Sequence, residues 1–428
     1  MHARATSTPQ TTERESQRDI ERYARLQQES KAIRGVSLWQ DAWRRLRKNW
    51  AAMGSLALLC VVGLLALLTP LLPLQSPIYQ DMDQRMFLPP NARPMNLYTK
   101  DPKTSQRMRL THAIELHDKA LDALRGQVEK LAAVSNVSPG HAEQLEAARK
   151  ELAAAQGAHP LDRLWHHPGA ITRGMMRLRL AVFGDWCIPS LCGTDDLGRD
   201  VLARIWWGSR VSLLVGIVAT LVSLVIGVSY GATAGYLGGW TDALMMRLVD
   251  VLFSIPFIFV VIFLITILSE DKWKRGLESV GINQITIFYI VIGAIYWLTM
   301  ARVVRGQIIS LKHEQFVDAA RTIGASSGRI IFRHLVPNVL GIVIVYLTLT
   351  IPSVMLFEAF LSFLGLGVQP PDVSWGLLVN EGMKVITPIQ IQWWLVLFPG
   401  LTLALTLFAL NFLGDGLRDA LDPRMKNR

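Results

Sequence analysis

Val211–Thr241 reads VSLLVGIVATLVSLVIGVSYGATAGYLGGWT, a run of 31 residues without a charge. The core of a bilayer is crossed by about 20 apolar residues in one α-helix. A helix on the surface of a soluble protein would show a polar face within that length, and this run has none. Five further uncharged stretches surround it: Ala51–Leu74, Val251–Ser269, Ser279–Ala301, Leu335–Phe357 and Val385–Gly414. The third in chain order, Val251–Ser269, is the shortest and is expected to begin near Ala243. The whole chain of 428 residues is 51% hydrophobic and 18% charged, against about 25% charged in soluble domains. The fold class expected is an all-α membrane protein with six transmembrane helices.

The charges outside these runs predict the orientation. Lys31, Arg34, Arg44, Arg45, Arg47 and Lys48 precede the first run against one acid, Asp41. Arg302, Arg305, Lys312, Arg321, Arg329 and Arg333 stand between the fourth and fifth against Glu314 and Asp318. The connection between the fifth and sixth is acidic, with Glu358, Asp372 and Glu381 against Lys384. Basic segments stay on the cytoplasmic side, so both termini and the Arg302–His334 connection are expected inside. The net charge of +10 is thereby accounted for by membrane topology, and no nucleic-acid partner is expected.

The chain divides accordingly. Residues 1–50 form a polar tail and an interfacial helix, with no signal peptide expected. In that helix Trp39, Trp43, Leu46 and Trp50 fall at helical spacing among basic residues, as in a helix lying at the headgroup level; the plainer alternative is an extension of the first span. Residues 51–74 are the first span, 75–192 an insertion on the outer side, and 193–428 a core of five membrane helices. The insertion starts with an irregular Pro-rich stretch (Pro77, Pro89, Pro90, Pro94, Pro102). Next, Ile114, Leu121 and Val128 recur every seven residues, joined by Leu124 and Leu131. After the breaker 135–140 a second run carries Leu145, Ala148 and Leu152. This pattern predicts a helical hairpin packed on the outer surface.

Several chemistries find no support. There is no Gly-x-x-x-x-Gly-Lys-Ser/Thr loop for nucleotide phosphates, no His-Glu-x-x-His and no Cys/His set spaced for zinc. No run holds the row of carboxylates that relays protons or sodium. Asp195, Asp196 and Asp200 lack the alternation of a calcium loop. They are expected to shape a turn, with Asp196 or Thr194 capping the helix that follows.

The connection between the fourth and fifth runs reads EQFVDAARTIGASSGRIIFRHLVP over Glu314–Pro337. Phe316, Ala319, Ala320 and Ile323 are expected along one face of a short helix. Small Ala residues let another surface approach closely, Phe316 supplies an apolar anchor, and Gly324 lets the chain turn into a second short helix. Asp318 is expected to orient that helix or to touch a partner. Asp318-Ala319-Ala320, Gly324 and Pro337 resemble the cytoplasmic loop of ABC importer permeases, with Asp for Glu, His334 for Ile and Val336 for Leu. Arg333-His334 before Val336-Pro337-Asn338 resembles the peptide-transporting branch. The likeness extends to Gly193–Arg204, Ser254–Phe257, Ala301–Gln307, Phe360–Gly367, Ser374–Gly376, Gly414–Pro423 and Ser37–Ala42. It covers about 37–74 and 193–425 and leaves Met82–Leu191 without a counterpart.

The resemblance implies a C-type permease subunit of an oligopeptide importer with an ABC importer type I core, in a bacterial inner membrane. It implies partners: a second, B-type permease, two ATPase subunits and a periplasmic peptide-binding protein. ATP and magnesium would be held by the ATPases, leaving this chain without cofactor, metal or catalytic residues. Phe316, Asp318, Ala319, Ala320, Ile323 and Gly324 would form the coupling helix within a loop of residues 302–337. Three smaller features remain. Gly231, Gly235 and Gly239 recur every fourth residue, which permits close helix packing in lipid, either within the chain or against a second permease. Glu358 follows an apolar run and is read either as a substrate-path or partner contact, or as an interfacial pair or cap. Cys187 and Cys192 stand in a compartment that permits disulfides, and a bond between them is a hypothesis. The rival readings are an ion-coupled secondary transporter, an ABC permease for another solute such as nickel, and a membrane scaffold that transports nothing.

Overall fold

The computed structural model describes residues 38–101, 104–133, 139–157, 159–165, 169–268 and 284–421, with single positions between 270 and 276. The tail at 6–31 and the breaker at 135–138 lie outside these residues. Helices dominate. α1 (Leu38–Lys48) and α2 (Trp50–Leu68) are separated only by Asn49, whose side chain caps α2 by accepting from the Ala52 amide at 3.2 Å. Ala42 and Leu46 of α1 are buried against Ala52 and Ala420, while Trp50 is exposed. Arg47 stacks over the Trp43 ring at 5.0 Å.

The insertion holds α3 (Met82–Arg85), β1 (Met95–Asn96), β2 (Tyr98–Lys100), β3 (Arg107–Arg109), α4 (Leu110–Ala132), α5 (Pro139–Gly157), α6 (Pro160–Trp165), α7 (Ala170–Phe183) and β4 (Trp186–Cys187). The stretch expected to be irregular therefore contains strands. β1 pairs antiparallel with β4, and β2 with β3. Tyr79, Leu97, Leu110, Leu161, Met176 and Cys187 make a small core between them. α4 and α5 pack on each other, with Leu121, Leu124, Val128, Leu145 and Leu152 half-buried.

The remaining helices are α8 (Val201–Leu237), α9 (Gly239–Ser254), α10 (Phe257–Leu268), α11 (Gln284–Leu311), α12 (Gln315–Thr322), α13 (Ser327–Arg329), α14 (Val336–Phe363), α15 (Trp375–Val385) and α16 (Trp394–Leu421). Among the described residues four helices are long and apolar enough to cross a membrane, and five if α9 and α10 count as one broken span. That pair bends by 81° at Ile255-Pro256. Proline lacks an N–H and pushes the residue before it into an extended conformation, as Ile255 shows with φ −78° and ψ 125°. The predicted span 279–301 starts partly outside the described residues and continues as α11.

Two predicted boundaries move. α8 begins at Val201, ten residues before the uncharged run, because Asp200 caps it by accepting from the Ala203 amide at 2.8 Å. The cap is therefore Asp200, not Asp196 or Thr194. Asp195 instead shapes the turn, accepting from the amides of Leu197 (3.0 Å) and Arg199 (2.8 Å). Arg204 can lie inside α8 because it is paired with Asp195 at 2.7 Å and with Glu381 of α15 at 2.6 Å. The last span begins at Trp394, not Val385; the uncharged residues before it divide between the end of α15 and a loop. Pro399 deprives the Leu395 carbonyl of its usual helical donor. Gly382 of α15 sits against that carbonyl, where a Cβ would come within 2.6 Å of the oxygen.

α8 and α11 form the main contact of the bundle. A Cβ at Gly227 would meet Met300 at 2.6 Å, at Gly231 the Ala301 carbonyl, and at Gly235 the Arg305 carbonyl at 2.9 Å. From the other side Gly293 meets Val222 at 2.8 Å. The close packing of Gly231 and Gly235 is therefore within the chain. Gly239 does something else: it and Gly238 both have positive φ, at 58° and 67°, and make the corner into α9. Gly231→Leu is expected to destabilise the protein by about 1–3 kcal/mol through overpacking. Gly306→Ala, where a Cβ meets nothing within 4 Å, should stay within about 1 kcal/mol of the parent. Thermal unfolding of both variants in detergent checks this.

Candidate functional site

The Arg302–His334 connection folds into a compact ledge at the end of α8 and α11. α12 starts after Glu314 and ends in a Schellman-type close: the Ala325 amide donates to the Ala320 carbonyl at 3.0 Å, and Gly324 takes φ +80°. Only glycine adopts that conformation without steric cost. The chain then passes through α13 and a π-helical turn, Ile330–Leu335, into α14.

The ledge has two faces. Val317 and Ala320 point inward and are buried with Ile308, Ile330, Ile331, Leu335 and Val339. Phe316, Ala319, Ile323 and Gly324 point out, with Ile323 85% exposed. Ala320 therefore stands apart from the face expected to carry it, because α12 uses it as an anchor into the core. Asp318 is exposed and pairs with Arg321 at 3.2 Å. Arg321 also stacks over the Tyr236 ring of α8 at 5.4 Å. Phe332, 55% exposed, extends the outward apolar surface. It escaped the sequence reading, although its place one turn before Val336-Pro337 in an apolar run was a signal. Val317 escaped too, hidden as the inward neighbour of Phe316.

α11, which leads into the ledge, is tied to α9 by ions. Arg305 holds Asp242 of α9 through two hydrogen bonds, at 2.5 and 2.6 Å. Arg302 pairs with Asp250 at 2.8 Å and stacks over Phe253 at 4.3 Å. The bidentate Arg305 pair is the stronger kind of charge-assisted bond.

Glu358 lies far along α14 from the ledge and is buried. Its Oε1 accepts from Ser362 (2.8 Å) and Ser374 (2.7 Å), and Ser374 in turn caps α15 by accepting from the Leu377 amide at 3.1 Å. These contacts tie the end of α14 to the start of α15. Its Oε2 has no hydrogen-bond partner among the described residues. An apolar recess of about 650 Å³ lies nearby, bordered by Leu67, Trp165, Trp207, Arg210 and Tyr289. Among the described residues no group of His, Cys, Asp or Glu is placed to hold a metal ion.

Cys187 and Cys192 are not bonded; both are free thiols. Cys187 belongs to the core of the insertion, where its sulfur accepts from Arg179 at 3.1 Å. Cys192 packs instead with Val201, Ile205, Trp375 and Trp394. The turn between them sends the two side chains into different apolar clusters. Burial pushes the Cys187 thiol up to about 11, partly offset by Arg179. Burial pushes the Cys192 thiol up to about 12, with Asp200 adding to it.

The chain belongs to the family described as binding-protein-dependent transport system inner membrane components, whose model matches residues 227–427. Residues 37–90 match the N-terminal TM domain of oligopeptide transport permease C. The chain is similar to the oligopeptide transport system permease protein OppC of Haemophilus influenzae, 50% identical over 54% of this chain and 70% of that protein. To the OppC of Escherichia coli it is 49% identical over 54% of this chain and 72% of that one. To the dipeptide transport system permease protein DppC of Bacillus subtilis it is 45% identical over 55% and 68% respectively. With an inward-facing MetNI methionine ABC transporter the TM-score is 0.38 at 19% identity, over 50% of this chain and 94% of that one, too low to bear on the fold. Residues 91–226 lie outside both family matches.

Only thiolates are alkylated readily. At pH 8 in detergent, iodoacetamide is expected to spare Cys187 and Cys192 in the folded protein. Unfolded without reductant, all three cysteines should gain an adduct. An intact mass lacking two adducts would reveal a disulfide.

Proposed function

We propose that this chain is one half of the translocation path of an ATP-driven, binding-protein-dependent peptide importer. The observation that carries the reading is the α12 ledge. In a family of inner-membrane transport components, a short helix anchored inward by Val317 and Ala320 and bare outward at Phe316 and Ile323, followed by a turn that exposes Phe332, suits docking by a separate protein. Exposed apolar side chains around a rigid anchor are what an interface core uses. The names of the similar permeases, oligopeptide and dipeptide, support peptide as the substrate class. They favour it over nickel, and the family favours it over an ion-coupled secondary transporter.

On this reading the chain pairs with a B-type permease and sits in the bilayer above two ATPase subunits, which hold ATP and magnesium. A periplasmic peptide-binding protein delivers the substrate. Both termini and the ledge face the cytoplasm, consistent with their positive charge, and the insertion faces the periplasm. Closure of the ATPases pushes on α12. The push passes through the buried side of the ledge to α8, α11 and α14 as a rigid-body movement, and peptide moves between the two permeases. The chain itself performs no catalysis.

The test uses the assembled transporter in proteoliposomes. Ile323→Asp adds a charge to the outward face and leaves the inward anchor intact. It is expected to lower co-purification of the ATPase subunits at least tenfold. Gly324→Val forces a β-branched residue into left-handed conformation, at a cost of about 1–2 kcal/mol or more. It is expected to leave membrane insertion and ATP hydrolysis in place while peptide uptake falls to background. Wild-type uptake by both variants would remove the ledge from the mechanism.

A further inference from the structure

Helix α7 carries an apolar stripe that no other described part of the chain covers. Ile171, Met175, Leu178 and Val182 follow one another at helical spacing. Ile171 is 83% exposed, Val182 65% and Leu178 56%. The adjoining face, with Met176 and Arg179, is fully buried in the core of the insertion. Beyond the helix the exposed apolar surface continues through Phe183 and Trp186, whose rings lie 6.3 Å apart. An uncovered stripe of this length marks a contact surface rather than a solvated one.

Its position indicates what covers it. The Arg179 guanidinium donates to the carbonyls of Leu72 and Leu74, each at 3.2 Å. These residues directly follow the 3₁₀ turn Thr69–Leu71 that ends the first membrane helix, and α7 packs on that turn. The Ile188 amide donates to the Pro73 carbonyl at 2.7 Å. α7 is thus fixed at the very end of α2, whose own outward residues Val61, Leu64 and Leu67 are exposed. Trp206 and Trp207 stand at the same level, since the Thr69 hydroxyl donates to the Trp206 carbonyl at 3.2 Å. Arg177 is turned away from the stripe, toward Glu115 and Asp118 of α4, and Arg173 is held by Asp162 at 2.7 Å. An uncovered apolar face and indole rings at the end of a membrane span are the marks of a helix lying in the plane of the interface.

We propose that α7 is a membrane-surface helix: its Ile171–Val182 stripe is seated between headgroups and acyl chains of the leaflet facing the insertion. The insertion then rests on the bilayer through α7, and the α4–α5 pair projects from a fixed base. The occupant is lipid because α7 is fixed at the end of a membrane span, at the level where the apolar core of the bilayer gives way to headgroups. The inference holds for whichever leaflet the insertion faces, so it stands or falls apart from the ATPase-docking role of α12.

The test is nitroxide labelling of the assembled transporter in nanodiscs of mixed zwitterionic and anionic phospholipid. In a Cys60→Ala background, where Cys187 and Cys192 are buried, Leu178→Cys and Val182→Cys each receive a spin label. Ala147→Cys on exposed α5 gives the aqueous reference. Power saturation is expected to show several-fold more collision with oxygen than with a water-soluble nickel chelate at both stripe positions, and the reverse at the reference. Nickel access at 178 and 182 equal to the reference would place the stripe in water. Protection from both reagents would place it under another protein. Either result overturns the proposal.

Discussion

The close packing of α8 against α11 through Gly227, Gly231 and Gly235 is the contact on which the rest depends. In lipid no hydrophobic force pulls two apolar helices together, so close packing of small residues has to do it. Removing three side chains along one face of α8 lets the carbonyls of Ala301 and Arg305 lie where Cβ atoms would be. That register sets Arg302 and Arg305 beside Asp250 and Asp242, and so fixes the angle of α9. It also aligns Val228 and Ala232 with Val304 and Ile308 to form the apolar socket that receives Val317 and Ala320. The ledge is thus an extension of the helix pair, and a force applied to it acts on both helices at once.

At the other end the constraint is electrostatic. Arg204 and Arg199 share Asp195 and Glu381, which joins the turn before α8, the helix itself and α15. Breaking one member of a buried ion cluster leaves an uncompensated charge and costs about 3–5 kcal/mol. Glu358 adds a hydrogen-bonded clamp in the same quarter through Ser362 and Ser374. Together they hold the short helix α15 between the two long helices α14 and α16. The bundle is therefore held at the end that carries the ledge by packing and the α9–α11 ion pairs, and at the end that carries the insertion by polar clusters.

Much of this was legible in the sequence, and the failures have physical causes. Charge-free runs located the apolar helices because a lone charge in hydrocarbon is expensive. The same criterion started α8 ten residues late: it stops at Arg210, which stacks over the Trp207 ring at 5.1 Å, and it cannot see that Arg204 is paired with residues 9 and 177 positions away. The spacing of Gly231 and Gly235 announced close packing, yet a periodicity holds no information about which helix is the neighbour. In α12 the amphipathic pattern was correct but its faces were misassigned at Ala320. Alanine suits either side, and the buried Ile330, Ile331 and Leu335 that claim it lie in the next turns. The strands of the insertion, two or three residues long, are too short for a period of two to register. The two cysteines are close in sequence, but the turn between them directs each into a different cluster.

Gly382 and Pro399 face one another across α15 and α16, and their fates are joined. A residue with an amide hydrogen at 399 would draw the Leu395 carbonyl back toward the helix axis, opening room for a side chain at 382. A side chain at 382 alone would collide with that oxygen. A side chain at 382 therefore becomes admissible only once 399 has changed, so that one carbonyl sets the order in which evolutionary drift can proceed in this corner.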